Sequence, residues 1–207
     1  DILMLPYGLN QKVEFKKNFG PALGDLNLNE ILEFNEEDFV KKINPIYEAI
    51  NLVKQDSLTK NKSIIGFVGA PWTLLVYMIN KQLINKVLII LEKFLKIHIK
   101  NQINSGEQII QIFDSWAGLL DNKDLDSYVY NPTLSLVQYI KSLEIPVICF
   151  PRGIKDYDKY CEIVNPDVIS IDYETDPIQI EKNIKIPVQG GMDPKVLLTD
   201  KENIKKQ

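Results

Sequence analysis

Ser63-Ile64-Ile65-Gly66-Phe67-Val68-Gly69-Ala70-Pro71-Trp72-Thr73-Leu74-Leu75-Val76-Tyr77-Met78 joins a short apolar strand, a tight turn and a helix start within sixteen residues. Residues 63–67 are apolar with β-branched members, the pattern of a strand covered on both faces. Gly69 and Pro71 punctuate that run. Proline suits the first position of a helix, where its missing N–H leaves no bond unmade. Residues 72–80 therefore read as a helix leaving the C-terminal end of a strand, with Thr73 and Tyr77 four residues apart on one face.

Upstream of this unit, Asp1-Ile2-Leu3 reads as the end of a strand. Pro6, Gly8 and Asn10 break the chain, and a small hairpin excursion is expected near 11–24, with Val13 and Phe15 alternating before Gly20-Pro21. Asn35 followed by Glu36, Glu37 and Asp38 offers a helix cap with an acidic first turn, and a second helical segment starts at Pro45. Downstream, 83–105 carries the longest helical pattern, closed by Gly106. Strands at 108–113, 146–150, 168–171 and 187–190 then alternate with helices at 124–143 (broken at Pro132), 158–164 and 176–183.

Strand–helix alternation implies βαβ units and a parallel sheet. A doubly wound sheet with a nucleotide site is disfavoured, because neither Gly-x-Gly-x-x-Gly nor a Walker-type loop occurs. Polar residues and glycines instead follow the strand ends: Asp1, Gly69, Asp114, Ser115, Arg152, Asp172 and Gly191. A barrel collects such positions around one mouth. The predicted fold is α/β, a single (β/α)8 TIM-barrel domain over 1–207, incomplete because five internal strands and the stub at Asp1 leave the first and last strands outside.

The net charge of −4 removes the electrostatic case for nucleic acid or an anionic membrane surface. Apolar runs such as 87–91 are far shorter than a bilayer span, and no secretory apolar region is visible, so a cytoplasmic location is expected. Cys149 and Cys161 lack metal-ligand spacing and fit reduced thiols. His98, the single histidine, lies on the long helix with no sequence partner, which favours surface or helix packing over catalysis. Arg152 is the single arginine, and a guanidinium can clamp a carboxylate with two parallel bonds where an ammonium cannot.

The stretch ending Gly69-Ala70-Pro71-Trp72-Thr73 with Tyr77 one turn later resembles the uroporphyrinogen decarboxylase family, whose third barrel strand ends in G-[FS]-x-G-[AS]-P-W-T-L-x-x-Y-M. The likeness extends to Phe113-Asp114-Ser115-Trp116-Ala117-Gly118, similar to F-[DE]-[ST]-x-[AG]-G, and to Gln189-Gly190-Gly191-Met192-Asp193-Pro194, similar to Q-G-N-[LM]-D-P. Asp1-Ile2-Leu3 matches the end of the family's F-[ST]-D-I-[LM]. The family's R-Q-A-G-R-Y and L-G-H-G segments do not occur.

The resemblance implies a (β/α)8 barrel that removes CO2 from the acetate side chains of uroporphyrinogen III without a cofactor or metal. It makes Asp1 and Tyr77 the catalytic candidates, with Asp1 facing the pyrrole N–H groups and Tyr77 supporting it. Ser115, Arg152 and Gly191 become the substrate-binding candidates, Arg152 standing where the family usually has lysine. Asp114 is either a second acid or a loop-orienting group. Asp1 is expected within hydrogen-bond reach of Tyr77, and a mouth loop of roughly twenty residues is expected to be lacking around Gln82. A homodimer is implied. Two alternatives remain open: a corrinoid- or thiol-dependent methyltransferase of the same superfamily, whose His/Cys zinc constellation does not appear in this stretch, and a non-catalytic tetrapyrrole-binding barrel.

Overall fold

The structure, a computed structural model, describes residues 2–17, 20–78 and 84–205. The chain opens with α1 (Met4–Gly8), the strands β1 (Val13–Lys16) and β2 (Gly20–Leu23), α2 (Leu28–Leu32) and α3 (Glu36–Gln55). The main architecture follows as β3 (Ile65–Gly69), α4 (Pro71–Met78), α5 (Ile84–Ser105) and β4 (Ile109–Asp114). Next come α6 (Asn122–Leu125), α7 (Asn131–Ser142), β5 (Val147–Pro151), α8 (Tyr157–Val164), β6 (Val168–Ile171), α9 (Pro177–Asn183), β7 (Val188–Gly190) and α10 (Lys201–Lys205).

β3 to β7 form one parallel sheet whose spatial order is the sequence order. A doubly wound sheet reverses its strand order at a switch point, and a barrel does not. The unbroken order therefore makes this a run of consecutive βα units, a partial (β/α)8 barrel. β1 and β2 pair antiparallel outside that sheet, in register Val13 with Leu23.

Period-two alternation sets which side chains face the helices. On β4, Ile110, Ile112 and Asp114 are buried while Gln111 and Phe113 are half-buried on the other face. There Phe113 meets Phe67 and Phe150 edge-on, with ring centroids 5.9 and 6.0 Å apart. The helix layer packs by its own stripe: Val87, Leu91, Phe94, Leu95 and Ile99 of α5 are buried against Phe39 and Ile43 of α3 and the backs of the strands. Phe39 and Phe94 pack at 4.8 Å between centroids. Each such side chain contributes about 1.5–3 kcal/mol by leaving water.

Three local expectations are corrected. Residues 2–3 form a turn leading into α1, not the end of a strand. A tripeptide is too short to show a period, so helix and strand cannot be told apart from it. Pro45 does not start a second helix. α3 runs through it, because Asn35 caps the start by accepting from Asp38 N–H and the buried stripe Phe39, Ile43, Tyr47 continues across it. Pro132, read as a break, lies in the first turn of α7, directly after a π turn at Asp126–Tyr130. An α-helix would have Pro132 donate to the Tyr128 carbonyl, which it cannot do, and the wider π turn takes up the mismatch.

Candidate active site

The C-terminal ends of β3, β4 and β5 are joined by a network of side-chain and backbone hydrogen bonds that begins with α4. Pro71 starts that helix directly after Ala70, whose N–H donates to Phe113 O at 2.8 Å, so the first turn of α4 is seated on the end of β4. From that turn Thr73 Oγ1 donates to Asp114 Oδ1 at 2.5 Å and accepts the Trp116 N–H at 3.1 Å. Trp72 Nε1 donates to the Trp116 carbonyl at 3.1 Å. Both backbone polar groups of Trp116 are thus taken by two successive residues of α4. One turn further along, the Tyr77 ring stands edge-on to the Trp116 indole, 5.9 Å between centroids. On its other side the Trp72 indole stacks on Tyr128 from the π turn, 5.7 Å away at 29°.

A second set of bonds ties the β4 end to the β5 end. Arg152 N–H donates to Asp114 O at 3.0 Å and Gly118 N–H to Arg152 O at 2.9 Å. Gly118 and Gly153 then pack backbone to backbone: a Cβ on Gly118 would stand 2.7 Å from Gly153 Cα. Beyond them Asp172, at the end of β6, accepts the Gly153 N–H through Oδ2 at 2.9 Å, and the Glu174 N–H and Thr175 hydroxyl through Oδ1. Ser115, Trp116, Gly118, Leu119, Arg152 and Gly153 enclose an open recess of about 230 Å³.

Asp114 is the electrostatic oddity. Only 1 % of it is exposed, no cation faces it, and its Oδ2 has no hydrogen-bond partner among the described residues. Burial pushes its carboxyl up to about 7, the Thr73 hydroxyl pulling the other way. Its neighbour behind the sheet is Cys149, whose thiol burial pushes up to about 12. Alternation on β4 turns Asp114 towards the helices and leaves Ser115 to begin the turn that lines the recess.

The structure brings Ser115 and Arg152 into one recess and sets Tyr77 beside its Trp116 wall. Tyr77 is 38 % exposed. Gly191 stands apart, past the end of β7, where its N–H donates to Ile171 O at 3.3 Å and its φ of +88° suits a glycine. Asp1 and the stretch around Gln82 lie outside the described residues, so the expected Asp1–Tyr77 approach and chain gap carry no structural statement. His98 is a buried helix-packing residue with two partners that the sequence did not show: Nδ1 meets the Tyr47 hydroxyl at 2.9 Å and Nε2 the Gln102 amide nitrogen at 2.7 Å, and Gln102 in turn donates to Phe67 O of β3 at 3.3 Å. Burial lowers its pKa to about 4.

Among the described residues no group of three or more His, Cys, Asp or Glu is placed to hold a metal ion, and no helix is long and apolar enough to cross a membrane. The description "Uroporphyrinogen decarboxylase (URO-D)" belongs to the family whose sequence profile matches residues 1–207. The chain belongs to that family. It is 37 % identical over 230 aligned positions to a uroporphyrinogen decarboxylase of Rickettsia bellii (strain RML369-C), covering all of this chain and 67 % of the relative. A second relative of the same name, from Rickettsia akari (strain Hartford), is 33 % identical, again covering 67 % of that protein. The chain thus spans about two thirds of the length of these decarboxylases. Among solved structures it resembles a methyltransferase from Methanosarcina mazei, with a TM-score of 0.72, 13 % identity, and 92 % of this chain and 62 % of that one covered. It also resembles a B12-independent methionine synthase from Shewanella sp. W3-18-1, with a TM-score of 0.54, 15 % identity, and 87 % and 56 % covered. At such identities these two likenesses bear on the fold alone.

Sequence reading found the candidate residues at the strand ends but not what holds them. Thr73 stood out only as a face-mate of Tyr77, and the Gly118–Gly153 contact not at all. The available signal was alternation: Ile110, Ile112 and Asp114 share one face, so an acid there had to be buried.

Proposed function

We propose that the full-length protein is a uroporphyrinogen decarboxylase, removing CO2 from the acetate side chains of uroporphyrinogen III to leave methyl groups. The observation that carries this reading is the family match along residues 1–207. Protonation of the pyrrole carbon next to the one bearing the acetate makes the ring an electron sink, because the acetate-bearing carbon is left conjugated to a C=N+ bond. The carboxylate C–C bond then breaks towards the ring, CO2 leaves, and a second proton on the side-chain carbon, with loss of the first from the ring, gives the methyl group.

In this reading Asp1 accepts the pyrrole N–H groups and opposes the cation that forms on protonation, inside a cavity where such a charge is weakly screened. Tyr77 supports Asp1 or a substrate carboxylate. Ser115 and Arg152, which both line the recess, bind further carboxylates: the hydroxyl donates one bond and the guanidinium two. Gly191 leaves room at the end of β7. The enzyme acts as a cytoplasmic homodimer, to be checked by sedimentation, where a monomer mass at working concentration removes that part.

In the full-length protein, Asp1→Asn keeps the shape and removes the charge, so turnover of uroporphyrinogen III should fall by orders of magnitude with an unchanged circular dichroism spectrum. Tyr77→Phe removes one neutral hydrogen bond, worth about 0.5–1.5 kcal/mol, and should cost far less. Near-normal product formation by Asp1→Asn would remove Asp1 from the chemistry.

A further inference from the structure

We infer that Thr73 and Asp114 are positioning residues for the decarboxylase site, holding the Ser115–Trp116 turn against α4 so that Ser115 and Tyr77 keep one fixed spacing. This rests on the decarboxylase reading above. A hydroxyl carries one hydrogen. To accept the Trp116 N–H in a fixed direction, Thr73 must place that hydrogen elsewhere, and Asp114 Oδ1 takes it. Without the acceptor the buried hydroxyl is left with an unpaired donor, and its rotamer is no longer tied to the turn. Packing gives no other reason for an acid here. The face it continues is Ile110 and Ile112, where an apolar side chain would be favoured, and among the described residues its Oδ2 has no partner.

The clamp acts on both sides of one residue. Thr73 holds the Trp116 N–H and Trp72 its carbonyl, which also accepts the Leu119 N–H, so neither the Ser115–Trp116 nor the Trp116–Ala117 peptide can rotate without breaking a bond to the first turn of α4. Tyr77 projects from the same helix one turn on and meets the same indole. The arrangement spans 41 residues of sequence from Thr73 to Asp114, and it connects two side chains of the site through a group that touches neither the recess nor solvent.

The test uses full-length protein with four variants: Thr73→Val, Thr73→Ser, Asp114→Asn and Asp114→Leu. Each is read by kcat and KM with uroporphyrinogen III, and by amide hydrogen exchange at Trp116. Thr73→Val keeps the volume and loses the hydroxyl. Its kcat should fall about tenfold or more, with KM within about threefold and Trp116 exchange faster by about tenfold, the scale of one lost buried hydrogen bond. Thr73→Ser should restore all three. Asp114→Asn keeps an oxygen acceptor and should stay within about threefold of the parent, whereas Asp114→Leu should behave as Thr73→Val does. A folded Thr73→Val protein with parental kcat and parental Trp116 exchange overturns the inference. If Thr73→Val does not fold, the contrast between Thr73→Ser and Asp114→Leu decides in the same way. Absence of turnover in the parent protein would sink the decarboxylase reading alone, because Trp116 exchange still decides the clamp: faster in Thr73→Val and Asp114→Leu but not Thr73→Ser supports it, and equal in all overturns it.

Discussion

Asp114 and Glu107 are both buried carboxyls behind the same pair of strands, one at each end, and the chain treats them differently. Asp114 closes the C-terminal end of β4, bonded to Thr73 and through it to the turn carrying Ser115. Glu107 precedes the N-terminal end of β4, faced by Gln102 and His98 of α5, Tyr47 of α3 and Gly66 of β3, and its Oε2 has no partner among the described residues. Burial pushes both carboxyls up to about 7. A raised pKa therefore does not by itself distinguish the two ends of this fold. The difference lies in what the acid is tied to: at one end the Ser115–Trp116 turn, at the other nothing beyond the local cluster. Barrels in general keep chemistry at the C-terminal face and stability at the other.

The sharpest way to break this comparison is to add one methyl group at each end. On Gly118 it meets the Gly153 backbone, which cannot step aside without moving the turn that carries Arg152. Gly118→Ala should lower turnover by about tenfold or more and the unfolding free energy by about 1–3 kcal/mol, read by steady-state assay and urea unfolding. A variant with normal activity would show that the β4 and β5 loops need not be locked together.

The next effect is on pH dependence. Both carboxyls have folded pKa values above the ordinary 3.8 and 4.5, so the native state holds protons that the unfolded chain has released. Their contribution to stability is present below pH 4 and is lost as pH rises through about 7. His98 acts oppositely: its pKa falls from 6.5 to about 4, so its contribution is present above 6.5 and lost as pH falls towards 4. The two carboxyls outweigh the one histidine between about pH 4.5 and 6.5 and act without it from there to about pH 7, so urea midpoints should decline from about pH 4.5, most steeply between about 6.5 and 7, and level off above about pH 8. Glu107→Gln should flatten that decline, and an unaltered slope would mean that Glu107 is ionised throughout.

The smallest effect is expected at Gly66. There the added methyl overlaps only the tip of the Glu107 side chain and lies 2.7 Å from Gln102 Oε1, and both are ends of long side chains. Gly66→Ala should swing the carboxylate towards water, change stability by less than about 1 kcal/mol, and flatten the pH profile as Glu107→Gln does. A large loss of stability would show the cluster to be rigid, and the two ends alike.

How far the sequence spoke follows the same division. Strand–helix alternation and the residues after each strand were legible because they are local: the strand at 168–171 matches β6 residue for residue, and the family motifs fall at the ends of β3, β4 and β7. Contacts between distant residues were not. Thr73 reaches Trp116 across 43 residues and Tyr47 reaches His98 across 51, and neither leaves a period or a spacing to read. Pro45 misled for another reason: proline's local penalty was outweighed by a buried stripe that needs Tyr47 in the same helix as Phe39.

The π turn at Asp126–Tyr130 has a consequence for insertions and deletions. A π turn holds a residue more than helical pitch requires, so this stretch can shed one without breaking the helix. Each residue of an α-helix advances the chain by about 100°, so a one-codon deletion within 126–130 would close the turn to ordinary pitch and swing Tyr128 off the Trp72 indole. Relatives with an α turn here should align with a one-position gap opposite 126–130, and their counterpart of Trp72 should rest on a different neighbour.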